Sequence, residues 1–97
     1  MSDALPVMDN TGAQRFEIHA DGAIAYLTYR MRGDAIEYLH SETPPELRGR
    51  GLAGQIAKFA LDRDKAANRR VIPSCPFVET YIRRHAEYAP LVRAEAG

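Results

Sequence analysis

The residues best suited to chemistry lie in PPELRGRGLAGQ, Pro44 to Gln55, where three glycines and two arginines fall within seven positions. Glycine lets the backbone enter left-handed conformations and lets a ligand approach the main chain closely. Where such a loop opens a helix, the first N–H groups lack an intrahelical partner and point outward, and the helix dipole favours an anion there. The pattern points to a phosphate held by the amides of Leu47, Arg48, Gly49, Arg50, Gly51, Leu52, Ala53 and Gly54, with Arg48 or Arg50 adding charge. A strand-to-helix turn that simply needed glycine explains the same letters.

Two nucleotide readings of the loop fail. Gly49, Gly51 and Gly54 fit G-x-G-x-x-G, but a dinucleotide site also needs a βαβ unit and an acidic residue about 20 positions on. The next strand ends in IPSCP, without a carboxylate, and the preceding segments read as hairpins. The P-loop ends in Gly-Lys-Ser/Thr, which GLAGQ does not supply.

Other side chains carry two readings each. Cys75 stands where a strand gives way to a helix whose first residue is Pro76, so unpaired amides and the helix dipole would favour a thiolate. It can equally be a small buried hydrophobe. His40 closes a strand just before the loop, on the face of Ile36 and Tyr38 by simple alternation. Histidine there could take a proton from an amine, or could be half-buried and bonded to the backbone. Tyr81 falls on the apolar helix face with Phe77, Val78 and Ile82, and His85 reads as a packing residue or a polar contact near the helix end. His19 shows nothing special. The histidines have no metal-ligand spacing, so no metal is expected. Arg69-Arg70 and Arg83-Arg84 read as solvated helix ends, or as reach toward a further phosphate.

These residues must be positioned by a small set of elements. Residues 1–13 read as a flexible lead-in, and 14–97 as one domain. Arg15–His19 alternates, Asp21-Gly22 is a hairpin signal, and Ala23–Met31 and Ala35–Ser41 complete an antiparallel meander around a turn at 32–34. From Leu52 the apolar residues recur as Leu52, Ile56, Phe59 and Ala60, an amphipathic helix of about four turns. Val71–Ser74 is a short strand and a second helix begins at Pro76. A helical crossover between strands requires a partly parallel sheet, so the fold class is mixed α/β.

Composition narrows the partners. The 97 residues carry a formal net charge of zero, which argues against broad nucleic-acid binding, because phosphate neutralisation needs surplus Lys and Arg. No apolar run approaches the ~20 residues of a membrane span. The start, MSDALPVMDNTG, shows no basic-then-apolar leader, and the single cysteine excludes an intramolecular disulfide or multi-cysteine metal site. A cytoplasmic location is the expectation.

Arg48 to Ala53 also reads Arg-x-x-Gly-x-Ala between a strand and a long helix, and this resembles the acetyl-CoA pyrophosphate motif of the GNAT superfamily of N-acetyltransferases. The likeness extends from about Phe16 to Val92. HSETPPELRGRGLA, then a helix, then VIPSCPFVETYIRRHAEYAPLV resembles the small stand-alone branch of that superfamily. It implies a minimal GNAT-like fold, acetyl-CoA as cofactor, and acetyl transfer to an amine of unstated identity. The alternative is a non-catalytic CoA-binding or protein-interaction module. It also implies Cys75 near the thioester, as acetyl carrier, base or channel lining, and Tyr81 where many such enzymes protonate the departing thiolate. The chain lacks the extra amino-terminal helices that usually line the acceptor site, which leaves the acceptor open.

Overall fold

A computed structural model describes residues 5–93. Residues 1–4 of the expected lead-in and residues 94–97 of the expected domain lie outside the described residues. The elements are β1 (Met8–Asn10), β2 (Arg15–Ala20), β3 (Ala23–Arg32), β4 (Ala35–Glu42), α1 (Leu52–Ala67), β5 (Arg70–Pro73) and α2 (Pro76–Arg84). Short 3-10 turns at Pro45–Leu47 and Ala86–Leu91 precede α1 and follow α2. The strands form one sheet in the order β1-β2-β3-β4-β5, antiparallel except for the parallel pair β4–β5. This is the mixed α/β arrangement the sequence implies. Asp21 and Gly22 both take positive φ (51° and 76°), the conformation a two-residue hairpin needs.

One element falls where the sequence suggests none. Within the expected lead-in, β1 pairs Met8 with Glu17 and Asn10 with Arg15. Met-Asp-Asn has little strand propensity of its own. Side chains from the neighbouring strands hold it: the Tyr29 hydroxyl donates to Asp9 at 2.6 Å, and Asn10 donates to Glu17 at 3.0 Å.

The register of β3 on β4 also overturns simple alternation. Thr28 faces His40 while Tyr29 faces Tyr38, so Leu39 is an extra residue in β4, a bulge. Cross-strand partners share a sheet face. His40 therefore lies with Thr28 and Tyr26, turned away from the core face of Ile36 and Tyr38 where alternation put it. Its imidazole is exposed, 3.1 Å from Glu42.

Both helices share one core with the sheet. Ile18, Tyr38, Leu47, Ile56, Leu61, Val71, Val78 and Tyr88 are all essentially excluded from solvent. Inside it the Tyr38 hydroxyl donates to Asp64 of α1. Burial pushes the Asp64 carboxyl up to about 6, against the opposing pull of that hydrogen bond and of the Arg69 and Arg63 charges. On the other sheet face Glu17 and Glu37 are each held at about 2: Glu17 by His19, then Arg15 and Asn10, and Glu37 by Ser74, then Arg30 and Arg32.

Tyr38→Phe removes the buried donor to Asp64 and is expected to cost about 1–3 kcal/mol in denaturant unfolding. The pH dependence has two limbs of opposite sign. Between about pH 4.5 and 2 the unfolded chain protonates glutamates that the folded chain keeps ionised, so stability falls with acid, and Glu37→Gln shrinks this limb. Between 3.8 and about 6 the folded state keeps the Asp64 proton that the unfolded state has lost, so this group makes stability fall as pH rises. Unfolding curves of Asp64→Asn at pH 4, 5 and 6 are expected to lack that slope.

Candidate functional site

The loop between β4 and α1 spends some of its amides on itself. Leu47 N–H donates to Pro44 O at 2.9 Å and Arg48 N–H to Pro45 O at 3.3 Å, within the 3-10 turn. The expected donor row therefore loses its first two members. From Gly49 onward the situation changes. The first helical bond runs from Gln55 N–H to Gly51 O at 3.1 Å, and no side chain caps α1. Among the described residues no acceptor meets the N–H of Gly49, Arg50, Gly51, Leu52, Ala53 or Gly54. Gly49 and Gly51 take φ of 82° and 72°, so the path into the helix requires residues without a side-chain penalty in the left-handed region. A Cβ built on either would meet nothing within 4 Å, so the loop faces open space rather than packed protein.

That open space is a groove of about 480 Å³ between the start of α1 and one side of α2. Leu47, Leu52, Phe77 and Tyr81 give it an apolar wall, and Arg48 and Arg84 line it as cations. None of the lining residues is acidic. The Arg48 Nε–H is anchored on Thr43 O at 3.1 Å, which holds the side chain along the loop. Arg50 does not join the lining: its guanidinium pairs with Asp21 at 2.7 Å. Of the second arginine pair, Arg83 lies 3.5 Å from Glu79 while Arg84 lines the groove.

Tyr81 sits at the centre of an aromatic stack. Its ring lies 4.0 Å from the His85 ring with 14° between planes, and Phe77 and Tyr88 are 6.3 and 6.2 Å away. Gly54 stands against this stack, where a Cβ would lie 3.9 Å from the Tyr81 ring, an ordinary contact. Burial raises the Tyr81 phenol above its ordinary value, so it keeps its proton at neutral pH. His85 Nδ1 is 2.8 Å from Tyr81 O. A carbonyl only accepts, so Nδ1 carries the hydrogen, and in the neutral ring Nε2 holds the lone pair. The groove thus brings together a phenol donor and an imidazole acceptor.

Cys75 and His40 stand elsewhere. Cys75 is the N-cap of α2, as its place before Pro76 suggests, but it is 2% exposed and packed in the core. Its N–H donates to Tyr38 O at 2.8 Å, tying α2 to β4 where β5 stops pairing. Neither Cys75 nor His40 lines the groove. His85 is the residue that sequence reasoning underrated. Its spacing of four from Tyr81 was the available signal, because i and i+4 stack on one helix face.

The described residues hold no group of three or more His, Cys, Asp or Glu able to bind a metal, and no helix is long and apolar enough to cross a membrane. A small GCN5-like protein from Staphylococcus aureus, solved by NMR, shares the fold with a TM-score of 0.72. It is 24% identical, and the match covers 97% of this chain and 93% of that one. The family described as GCN5-related N-acetyl-transferase matches residues 15–91. That span includes the glycine loop, both helices and every groove-lining residue named above. This chain belongs to the GCN5-related N-acetyltransferase family.

Proposed function

We propose that this protein binds acetyl-CoA in the groove and transfers its acetyl group to an amine. The observation that carries the reading is the row of unpartnered N–H groups from Gly49 to Gly54, opening on a groove with no acidic lining residue. Such a row matches a diphosphate in charge and in donor chemistry. Arg48 and Arg84 would add positive charge beside it, and the apolar wall of Leu47, Leu52 and Phe77 suits an uncharged arm. Acetyl-CoA, when bound, supplies a thioester carbonyl open to attack by an amine.

The side chains in the groove divide the proton work. His85, whose Nδ1 hydrogen is held by the Tyr81 carbonyl, offers Nε2 as the acceptor for the proton that the attacking amine must lose. Tyr81, protonated at neutral pH, donates to the departing sulfur. The stacking of the two rings fixes both groups on one side of α2. This arrangement supports direct transfer. A route through acetyl-Cys75 needs a thiol that reaches the thioester, and Cys75 is 2% exposed and off the groove. His40, on the opposite sheet face, is not needed for either proton.

Ala53→Asp separates binding from folding. A carboxylate in the first turn of α1 complements the helix dipole, worth about 0.3–1 kcal/mol of added stability. It also repels a diphosphate, so calorimetric titration should show acetyl-CoA affinity at least ~10-fold weaker. Equal affinity in the two proteins would remove the amide row from the reading. Tyr81→Phe and His85→Gln are each expected to lower kcat by about 10²-fold or more while leaving acetyl-CoA affinity nearly unchanged. Measured CoA release with a panel of amines decides this. Binding without amine-dependent release would instead identify a CoA-binding module, and a labelled acetyl group on Cys75 by mass spectrometry would restore the two-step route.

A further inference from the structure

Residues 48–51 stand between two buried leucines, Leu47 before them and Leu52 after, and are themselves all exposed. The amide row begins inside this stretch. Gly51 is left-handed (φ 72°, ψ 21°) and Leu52 opens the right-handed α1, an alternation that draws successive N–H groups into one concavity. Gly49 is left-handed too, and a Cβ on either glycine would touch nothing. Glycine loses more conformational freedom on ordering than any other residue, so nothing in this bare segment keeps its own donors aligned.

An outside hold comes from Arg50. Among the described residues, its contact with Asp21 at 2.7 Å is the one side-chain hydrogen bond or ion pair that ties residues 48–51 to the sheet. The Arg48 side chain reaches Thr43 O, within the same loop. Strand lengths explain why Asp21 is at hand. β4 pairs with β3 no further than Glu42 opposite Tyr26, so Ala23, Ile24 and Ala25 run on past the end of β4. They carry the β2–β3 turn alongside the glycine loop. That turn is closed by the Ala20–Ala23 pair, with Asp21 and Gly22 both left-handed, and a two-residue hairpin of this kind is a firm post.

We propose that Arg50 is a positioning residue: its ion pair with Asp21, rather than a contact with the ligand, holds the backbone from Gly49 to Gly51 so that the amides face the groove. This rests on the reading of that row as the diphosphate site. Arg50 lies outside the groove lining, so its side chain serves the site through the backbone it steadies. A loop that is competent only part of the time binds with its affinity reduced by that fraction. Exposed ion pairs are individually weak, so the expected effect is about 2- to 5-fold. Its sign separates it from simple electrostatics. Asp21→Asn removes a negative charge near a polyanion, and Coulomb attraction alone would tighten binding. Loss of the hold weakens it.

The test compares the full chain with Asp21→Asn, Arg50→Gln and the double variant. Asparagine tolerates the left-handed backbone at position 21, so the hairpin is kept, and an unchanged Tm verifies this. Calorimetric titration with acetyl-CoA is paired with NMR relaxation of the Gly49, Arg50 and Gly51 amides in the free protein. Each single variant is expected to weaken acetyl-CoA by about 2- to 5-fold. The double variant should be no weaker than Arg50→Gln alone, because both changes remove one interaction. Both single variants should lower the order of the three amides. The proposal is overturned if Asp21→Asn binds as tightly as the unaltered chain, or more tightly, while Arg50→Gln loses affinity, since Arg50 then touches the phosphates. Unchanged amide order in Arg50→Gln, which leaves the hairpin sequence intact, overturns it as well. Should the unaltered chain not bind acetyl-CoA, the cofactor reading falls, and the relaxation measurement still decides whether the pair holds the loop.

Discussion

The parallel pairing of β4 with β5, and its early end, governs the rest of the molecule. Ala35 to Tyr38 pair with Arg70 to Pro73, and beyond Tyr38 the two strands no longer share hydrogen bonds. Parallel neighbours need a crossover, so the chain must leave the end of β4, build α1 and return. The start of α1 is thereby fixed beside the place where the strands part. The unpartnered amides of Gly49 to Gly54 open there because a helix must begin there and no side chain caps it. Cys75 closes the arrangement from the other strand, its N–H on Tyr38 O, and launches α2 so that Phe77, Tyr81 and Arg84 form the opposite wall.

The bulge at Leu39 and the buried Tyr38–Asp64 pair belong to the same region. The bulge separates what lies before it, the core-facing Ile36 and Tyr38, from what lies after, His40 and Glu42 on the other face. Tyr38 cannot shift with the bulge, because its hydroxyl is bonded to α1 deep in the core. The sheet is thus pinned at one residue and released at the next. Local irregularity of this kind re-aims side chains without disturbing the packed layer beneath.

The two ends of α1 differ in electrostatic character. Its N-terminal end offers backbone donors and groove-lining arginines, with acidic side chains kept out of the lining. Its C-terminal end sets Arg63 and Arg69 against Asp9 and Asp64. A chain with no net charge can therefore gather cations and free donors at one end of a helix and mix both signs at the other. Total charge bounds long-range attraction, while each site is decided by which few groups the fold places within hydrogen-bonding reach.

Much of this was legible in the sequence. Asp21-Gly22, the alternation of β2 and β3, the period of Leu52–Ala60 and the Cys75-Pro76 junction are local signals, written in residues a few positions apart. They fixed the order of the elements, and the glycine loop fixed where a helix would expose its amides. Decisions between distant residues were not legible. β1 exists because Tyr29 and Glu17 hold Asp9 and Asn10. His40 changed faces because the register of β3 on β4 slips by one residue. Arg50 turned to Asp21, Arg84 to the groove, and His85 gained its fixed tautomer from the hydrogen bond to the Tyr81 carbonyl. Periodicity reports which way a residue points within its own element, but pairing, register and ion-pair choice are settled by energies between elements, which only the packed chain contains.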